Sequence, residues 1–131
     1  MSSTITRALS ENAFSGKEFA FLHGVGRCGR DVQPLLPWVA GAVHVSCFDH
    51  RGHGNSARTP GAYLVENHVQ DQVAWLKTRV APVVLYGHSL GALVALGSAA
   101  QVPEKVRGII LEDPPTPNFL QQIPYQKIAK N

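Results

Sequence analysis

Cysteine is scarce in this chain: Cys28 and Cys47 have no CxxC neighbour and no second pair, which excludes a disulfide framework. Two isolated thiols read as reduced, in a reducing compartment. Charge is sparse too, at 16% of residues, and the net +3 comes from Lys and Arg scattered along the whole length. No basic run is interleaved with aromatics, so nucleic acid is not an expected partner. Residues 1–10 lack an apolar core of signal-peptide length, and the expected location is cytoplasmic. Residues 81–102 carry no Lys, Arg, Asp or Glu, and Gly87 and Gly91 fit a membrane-dimer spacing. Pro82, His88 and Ser89 interrupt that stretch, however, and Val83-Val84 before a glycine reads as a buried strand ending in a turn. No membrane partner is expected. The hydrophobic content, 44% of 131 residues, suits one globular domain with a modest core.

Along the chain, residues 18–23 (EFAFLH) form an apolar run closed by Gly24, Gly26 and Gly29, a buried strand entering a glycine-rich turn. Asp31 is a good N-cap for a short helix over residues 32–40, interrupted by Pro34 and Pro37. Residues 43–49 (VHVSCFD) are a second strand, and residues 51–61 an irregular loop rich in Gly, Asn, Ser and Pro. Val65, Val69, Val73 and Leu76 recur at helical spacing and predict an amphipathic helix over 64–80. A third strand over 83–86, an apolar helix over 90–100 and a fourth strand over 106–111 complete the pattern. Strands alternating with crossover helices predict an α/β fold, a parallel sheet with helices on both faces. Chemistry in such sheets sits at the carboxyl ends of the strands. Those ends carry His23-Gly24, Asp49-His50, Gly87-His88-Ser89 and Glu112-Asp113.

Gly87-His88-Ser89-Leu90-Gly91 comes after a predicted strand and opens a predicted helix, the context of a nucleophile elbow. A serine in a strained strand-to-helix turn needs neighbours without Cβ two positions away on each side. The Leu90 amide, at the helix N-terminus, would then point at a developing oxyanion. The plainer alternative is a glycine-rich turn with Ser89 as an N-cap. Taken with His23-Gly24-Val25-Gly26, the run from Asp49 to Ser56 (DHRGHGNS) and Leu111-Glu112-Asp113-Pro114-Pro115, all in order and at the usual intervals, the elbow makes residues 18–115 closely resemble the α/β-hydrolase superfamily. The resemblance implies a serine hydrolase acting on an ester, amide or related carbonyl of a small-molecule substrate, with water as co-substrate and no cofactor. It implies Ser89 as nucleophile, the amides of Val25 and Leu90 as oxyanion hole, and His23, Gly24 and His88 as supporting loop. Asp113 stands where some members place the acid. The implied sheet order is second, first, third, fourth strand.

Two other readings use the same residues. Gly24-Val25-Gly26-Arg27-Cys28-Gly29 is a formal GxGxxG with Asp49 twenty residues beyond Gly29, as in a dinucleotide-binding βαβ domain, but Pro34 and Pro37 break the helix that should hold the pyrophosphate. Asp49, His50 and His53 have ligand chemistry for zinc or iron, without a second cluster to support it, so no metal is expected.

The chain departs from the family after Ser89. A triad needs a base and an acid that come after the nucleophile in chain order, and no His occurs after His88. An unassisted serine is a weak nucleophile, so a non-catalytic binding domain is the competing expectation. Residues 1–17 are expected to be an incomplete opening hairpin, 18–115 a partial core truncated before the cap and final strands, and 116–131 a connector or truncated tail. Both outer strands are then expected to be bare, inviting a partner chain or self-association through exposed sheet edges.

Overall fold

The computed structural model describes residues 5–8, 17–39 and 41–115. The predicted tail, and most of the predicted opening segment, lie outside the described residues. Five strands form one sheet: β1 (Ile5–Ala8), β2 (Glu18–Leu22), β3 (His44–Phe48), β4 (Val83–His88) and β5 (Val106–Glu112), in the spatial order β1-β3-β2-β4-β5. β2 to β5 are parallel to one another, as the alternating pattern predicts, and the order of these four is the expected one. One expectation is corrected. β1 pairs antiparallel with β3, Ile5 opposite Phe48 and Thr6 opposite Cys47, so β3 is not an edge. A four-residue segment with only one large apolar residue carries too short a pattern to be read as a strand, yet it satisfies the outer backbone groups of β3.

The pleat sends alternate side chains to opposite faces and so builds two cores. On one face Ala20, Leu22, Val83 and Leu85 pack with Val69, Val73 and Leu76 of helix α2 (Val65–Leu76) and Leu90, Val94 and Ala95 of helix α3 (Leu90–Gln101). On the other, Phe19, Phe21, Val45 and Cys47 pack with Val32 and are flanked by Leu35, Leu36, Val84 and Tyr86. The segment covering this second face differs from the single helix expected over 32–40. It is a 3₁₀ stretch, Gly29–Leu35, continuing as the four-residue helix α1 (Leu36–Val39). Pro34 removes one backbone donor inside the 3₁₀ stretch, and short 3₁₀ pieces tolerate this better than a long α-helix. Asp31 caps nothing here; it lies within the 3₁₀ stretch and pairs with Arg27 at 2.6 Å.

α2 ends at Leu76, four residues short of the predicted limit, because the chain tightens: Thr78 N–H donates to Trp75 O and Arg79 N–H to Leu76 O. Its start is fixed by Asn67, whose Oδ1 accepts the Leu64 N–H at 2.9 Å. The uncharged stretch 81–102 resolves into β4 and α3, and no helix among the described residues is long and apolar enough to cross a membrane.

α2 also anchors the loop after β3. Arg51 donates from Nε and Nη2 to the two carboxylate oxygens of Asp71 at 2.8 and 2.7 Å, and from Nη1 to Ala62 O at 3.0 Å. Both side chains are about nine-tenths buried, so removing one partner strands the other charge away from water. Asp71→Ala is expected to lower the unfolding free energy by about 3 kcal/mol in urea titration. Arg51→Lys, which keeps the charge but loses the planar fork, should recover only part of wild-type stability. An Asp71→Ala variant as stable as wild type would mean that this pair does not hold the loop.

Candidate active site

All four predicted polar clusters meet at the carboxyl ends of the parallel strands. β4 and α3 join at Ser89, which occupies the N-cap position with φ +52° and ψ −113°, where an ordinary N-cap is extended. Its side chain makes no capping bond, so the plainer N-cap reading does not describe it. A non-glycine residue held at positive φ costs on the order of 1–3 kcal/mol and needs surroundings that enforce it. Those surroundings are the two glycines. A Cβ on Gly87 would sit 2.2 Å from Gly91 O, and one on Gly91 would sit 2.0 Å from Leu22 O, both backbone atoms. Helix α3 therefore starts in direct backbone contact with the ends of β4 and β2, and the link between has room only for a sharp turn. The Ser89 N–H donates to Glu112 O at 2.9 Å, tying the turn to the end of β5.

Asp113 comes directly after the last register pair of β4 and β5, His88 opposite Glu112, and is exposed with φ +47°. Ser89 and Asp113 are the positive-φ residues other than glycine among those described, and they terminate adjacent strands. Beside Asp113, Glu112 accepts the Tyr86 hydroxyl at 3.2 Å, and burial together with the acids Glu112 and Asp113 raises the Tyr86 pKa.

The turn after β2 faces the same place. A Cβ on Gly24 would stand 3.0 Å from His88 Nδ1 and 3.4 Å from Ser89 Cβ, so the bare glycine lets the turn approach the elbow. His23 is fully buried beneath it. The His50 N–H donates to His23 Nε2 at 2.9 Å, which leaves Nδ1 as the protonated nitrogen, donating to Gly24 O at 2.7 Å. His50 returns its Nε2–H to His23 O at 2.8 Å. Burial is the main reason that the His23 pKa is held down at about 4, with the charge of His53 adding to it. His50 is pushed well below its ordinary value, first by burial and then by His23 and His68. His68, on α2 with its ring 5.2 Å from that of His50, is likewise held at about 4 by burial. His23 thus bonds the carbonyl of the turn, and His50 and His68 complete a buried cluster of rings with it.

The Asp49 carboxylate is engaged by backbone amides. Its Oδ1 accepts the Gly29 N–H at 2.8 Å and its Oδ2 the Asn55 N–H at 3.0 Å, while Ser56 Oγ donates to its main-chain carbonyl. The carboxylate is buried and committed to joining two loops, and a Cβ on Gly54 would fall on it. Gly29 opens a 3₁₀ stretch and not an α-helix whose N-terminus could cradle a pyrophosphate. His53 Nε2 accepts the Gly26 N–H and its Nδ1–H donates to Arg51 O, so the imidazoles near Asp49 face backbone groups. Among the described residues no three His, Cys, Asp or Glu side chains converge as metal ligands. No disulfide joins Cys28 and Cys47, and burial pushes the Cys47 thiol up to about 11.

Comparison with known proteins agrees with this geometry. Residues 19–129 match the alpha/beta hydrolase family. The chain is 29% identical over 100 residues to 2-(acetamidomethylene)succinate hydrolase of Mesorhizobium japonicum, covering 76% of this chain and 36% of that enzyme. It is 33% identical over 94 residues to 3-hydroxybutyrate-oligomer hydrolase of Cupriavidus necator, covering 70% and 32%. The chain thus spans about a third of the length of these curated relatives. Among solved structures, Est816, described as an N-acyl homoserine lactone degrading enzyme, superposes with a TM-score of 0.76 at 28% identity, over 88% of this chain and 45% of that one.

The stack of His23, His50 and His68 makes stability depend on pH in a stated direction. Each binds its proton near the ordinary value of 6.5 when unfolded; when folded, His23 and His68 bind theirs only near about 4, and His50 only well below 6.5. Between those limits the unfolded chain holds more protons, so folding is favoured fully above the unfolded value and loses ground as pH falls toward 4. The slope is up to about 1.4 kcal/mol per pH unit for each histidine. Urea titrations from about pH 7 down to about pH 5 should show a slope exceeding that of one histidine. A flat profile would show that the rings are not buried as neutral groups.

Proposed function

Since this chain belongs to the alpha/beta hydrolase family, we propose that it carries the nucleophile and oxyanion elements of a serine hydrolase acting on an ester, amide or related carbonyl. The observation that carries the reading is the backbone of Ser89, held at φ +52° between two glycines whose Cβ positions are filled by other backbone. Such a turn lifts Oγ out of the sheet edge and leaves it unused as a cap. In this reading Ser89 Oγ attacks the carbonyl carbon, and the carbonyl oxygen, now an oxyanion, is taken by the amides of Val25 and Leu90. Leu90 N–H lies in the first turn of α3, whose own partial positive charge favours the anion. Val25 N–H belongs to the turn that Gly24 brings against Ser89. Collapse of the tetrahedral intermediate breaks the bond to the alcohol or amine, which leaves carrying the serine proton; water then adds to the acyl-enzyme, releasing a carboxylic acid and restoring the Ser89 hydroxyl, and no cofactor enters the scheme. That the matched relatives are named as hydrolases supports the class, and their differing substrates leave the acyl group open.

Asp113 is the proposed acid, a reading supported by the pairing of the preceding residues, His88 with Glu112, at the ends of β4 and β5. An acid orients a base, and no histidine occurs beyond His88 in the chain. His23, His50 and His53 are bonded to backbone, His68 is buried in α2, and His44 opens β3 at the opposite edge. The base of a full triad would come from outside these residues, in a longer form of the chain or a partner. That same observation favours the second reading, a hydrolase-like domain that binds a small molecule without turning it over.

Labelling of the purified 131-residue chain with a fluorophosphonate separates the two, because Ser89 Oγ must attack phosphorus and expel fluoride. Labelling that is lost in Ser89→Ala is the expected result for an activated serine. A folded chain that takes no label, alone or with a histidine-bearing partner segment, would leave the binding reading.

A further inference from the structure

We propose that His53 is a positioning residue for the oxyanion turn: by accepting the Gly26 N–H it fixes the peptide between Val25 and Gly26, and so holds in its type II form the turn that carries the Val25 amide. This rests on the reading of Val25 as an oxyanion donor. The turn is closed by Arg27 N–H on Gly24 O at 3.2 Å, with Val25 and Gly26 as its central residues and Gly26 at φ +76°, the value a type II turn requires at its third position.

Two peptide planes meet at Val25. The first contains Gly24 O and Val25 N–H, which point opposite ways because the peptide is planar and trans. Gly24 O takes two donors, His23 Nδ1–H at 2.7 Å and Arg27 N–H, so the first plane is held and its N–H faces out of the turn. Bonds to that carbonyl also polarise the peptide and strengthen its N–H as a donor. The second plane contains Val25 O and Gly26 N–H, and His53 Nε2 holds it at 3.1 Å. Without that bond little resists a flip of the second plane to the type I arrangement. Gly26 passes between positive and negative φ at low cost, and Val25 is 38% exposed, so packing does not fix it. His53 is itself fixed from behind, its Nδ1–H on Arg51 O at 3.0 Å and Arg51 forked onto Asp71 of α2. The loop after β3 thereby reaches across to set the turn after β2.

Two substitutions split the ring into its halves. Asn places a donor near the Nδ1 position and leaves the Gly26 amide without an acceptor; Gln places its Oε1 near the Nε2 position. In ¹⁵N NMR of the full chain, His53 of the wild type should show a bare Nε2 and a protonated Nδ1. The Gly26 amide should exchange with solvent roughly tenfold faster in His53→Asn than in wild type, with a displaced Val25 amide signal, and both should return toward wild type in His53→Gln. A protonated Nε2, or unchanged Gly26 exchange in His53→Asn, or a Val25 signal indifferent to both substitutions, would overturn the proposal. Thermal unfolding of each variant identifies any that is simply misfolded, and His53→Gln then stands as the deciding variant, required to keep the wild-type Gly26 exchange. The fluorophosphonate rate at Ser89 provides the functional arm: His53→Asn should slow it and His53→Gln restore it. A wild-type chain that takes no label refutes the reading of Ser89, whereas the NMR outcome still decides whether His53 holds the turn.

Discussion

The start of α3 lies against the ends of β2 and β4 with no room for a side chain at positions 87 or 91, and most of the distinctive features of this molecule depend on that contact. The chain must leave β4 and enter a helix within one residue. Ser89 absorbs the whole change of direction, in a conformation that serine does not choose for itself. The strain is supported by the packing that the contact brings with it: Leu90, Val94 and Ala95 of α3 buried against Leu22 and Leu85, and the Ser89 N–H bonded to the end of β5. Burial of several such side chains, at about 1.5–3 kcal/mol each, outweighs a penalty of about one to three. A larger residue at 91 would push α3 away from Leu22 and remove both the strain and the packing that sustains it.

Loops at a sheet edge have no hydrogen-bond ladder of their own, and here two of them share one. The Asp49 carboxylate takes an amide from each loop, Gly29 from the first and Asn55 from the second, and His23 and His50 exchange bonds between ring and backbone in both directions. Burying a carboxylate and three imidazoles is costly unless each is committed, and the lowered pKa values of the histidines reflect that cost. The commitment is incomplete at one point. His68 Nδ1, with Gln72 Nε2 and Ser98 Oγ, has no partner among the described residues, in the seam where α2 meets α3. A neutral ring is the form in which such a nitrogen is least expensive to bury.

Four strands and the helices α2 and α3 were legible in the sequence because their signals are local and redundant: apolar runs closed by glycine, and valines at helical spacing ended by a proline; the order of the strands came only from the family resemblance. The elbow was legible because its glycines are required on steric grounds that hold for any backbone making that turn. Three features were not. Ile5–Ala8 is too short to carry a period, and its pairing with β3 is a tertiary event. Residues 32–40 read as one broken helix, although the prolines instead favoured a 3₁₀ stretch beginning earlier, at Gly29. The partners of Asp49 are the third, two amides, one of them twenty residues upstream, that no local pattern announces. The role of a polar side chain that bonds backbone is set by where the fold carries that backbone, which no spacing rule contains.

The spacing of glycines in the loop from Asp49 to Ser56 makes sense only once the three-dimensional partners are known. Gly54 is required because its Cβ would occupy the carboxylate of Asp49, and Gly52 because its Cβ would meet the ring of Tyr63 at 2.6 Å. Both sit at positive φ, so each glycine answers a backbone demand and a steric one at once. Between them His53 is lifted toward Gly26, and before them Arg51 reaches down to Asp71. One tight loop thus has a side directed into the helix layer and a side directed toward the proposed oxyanion turn. A loop built this way ties the position of α2 to the sheet edge.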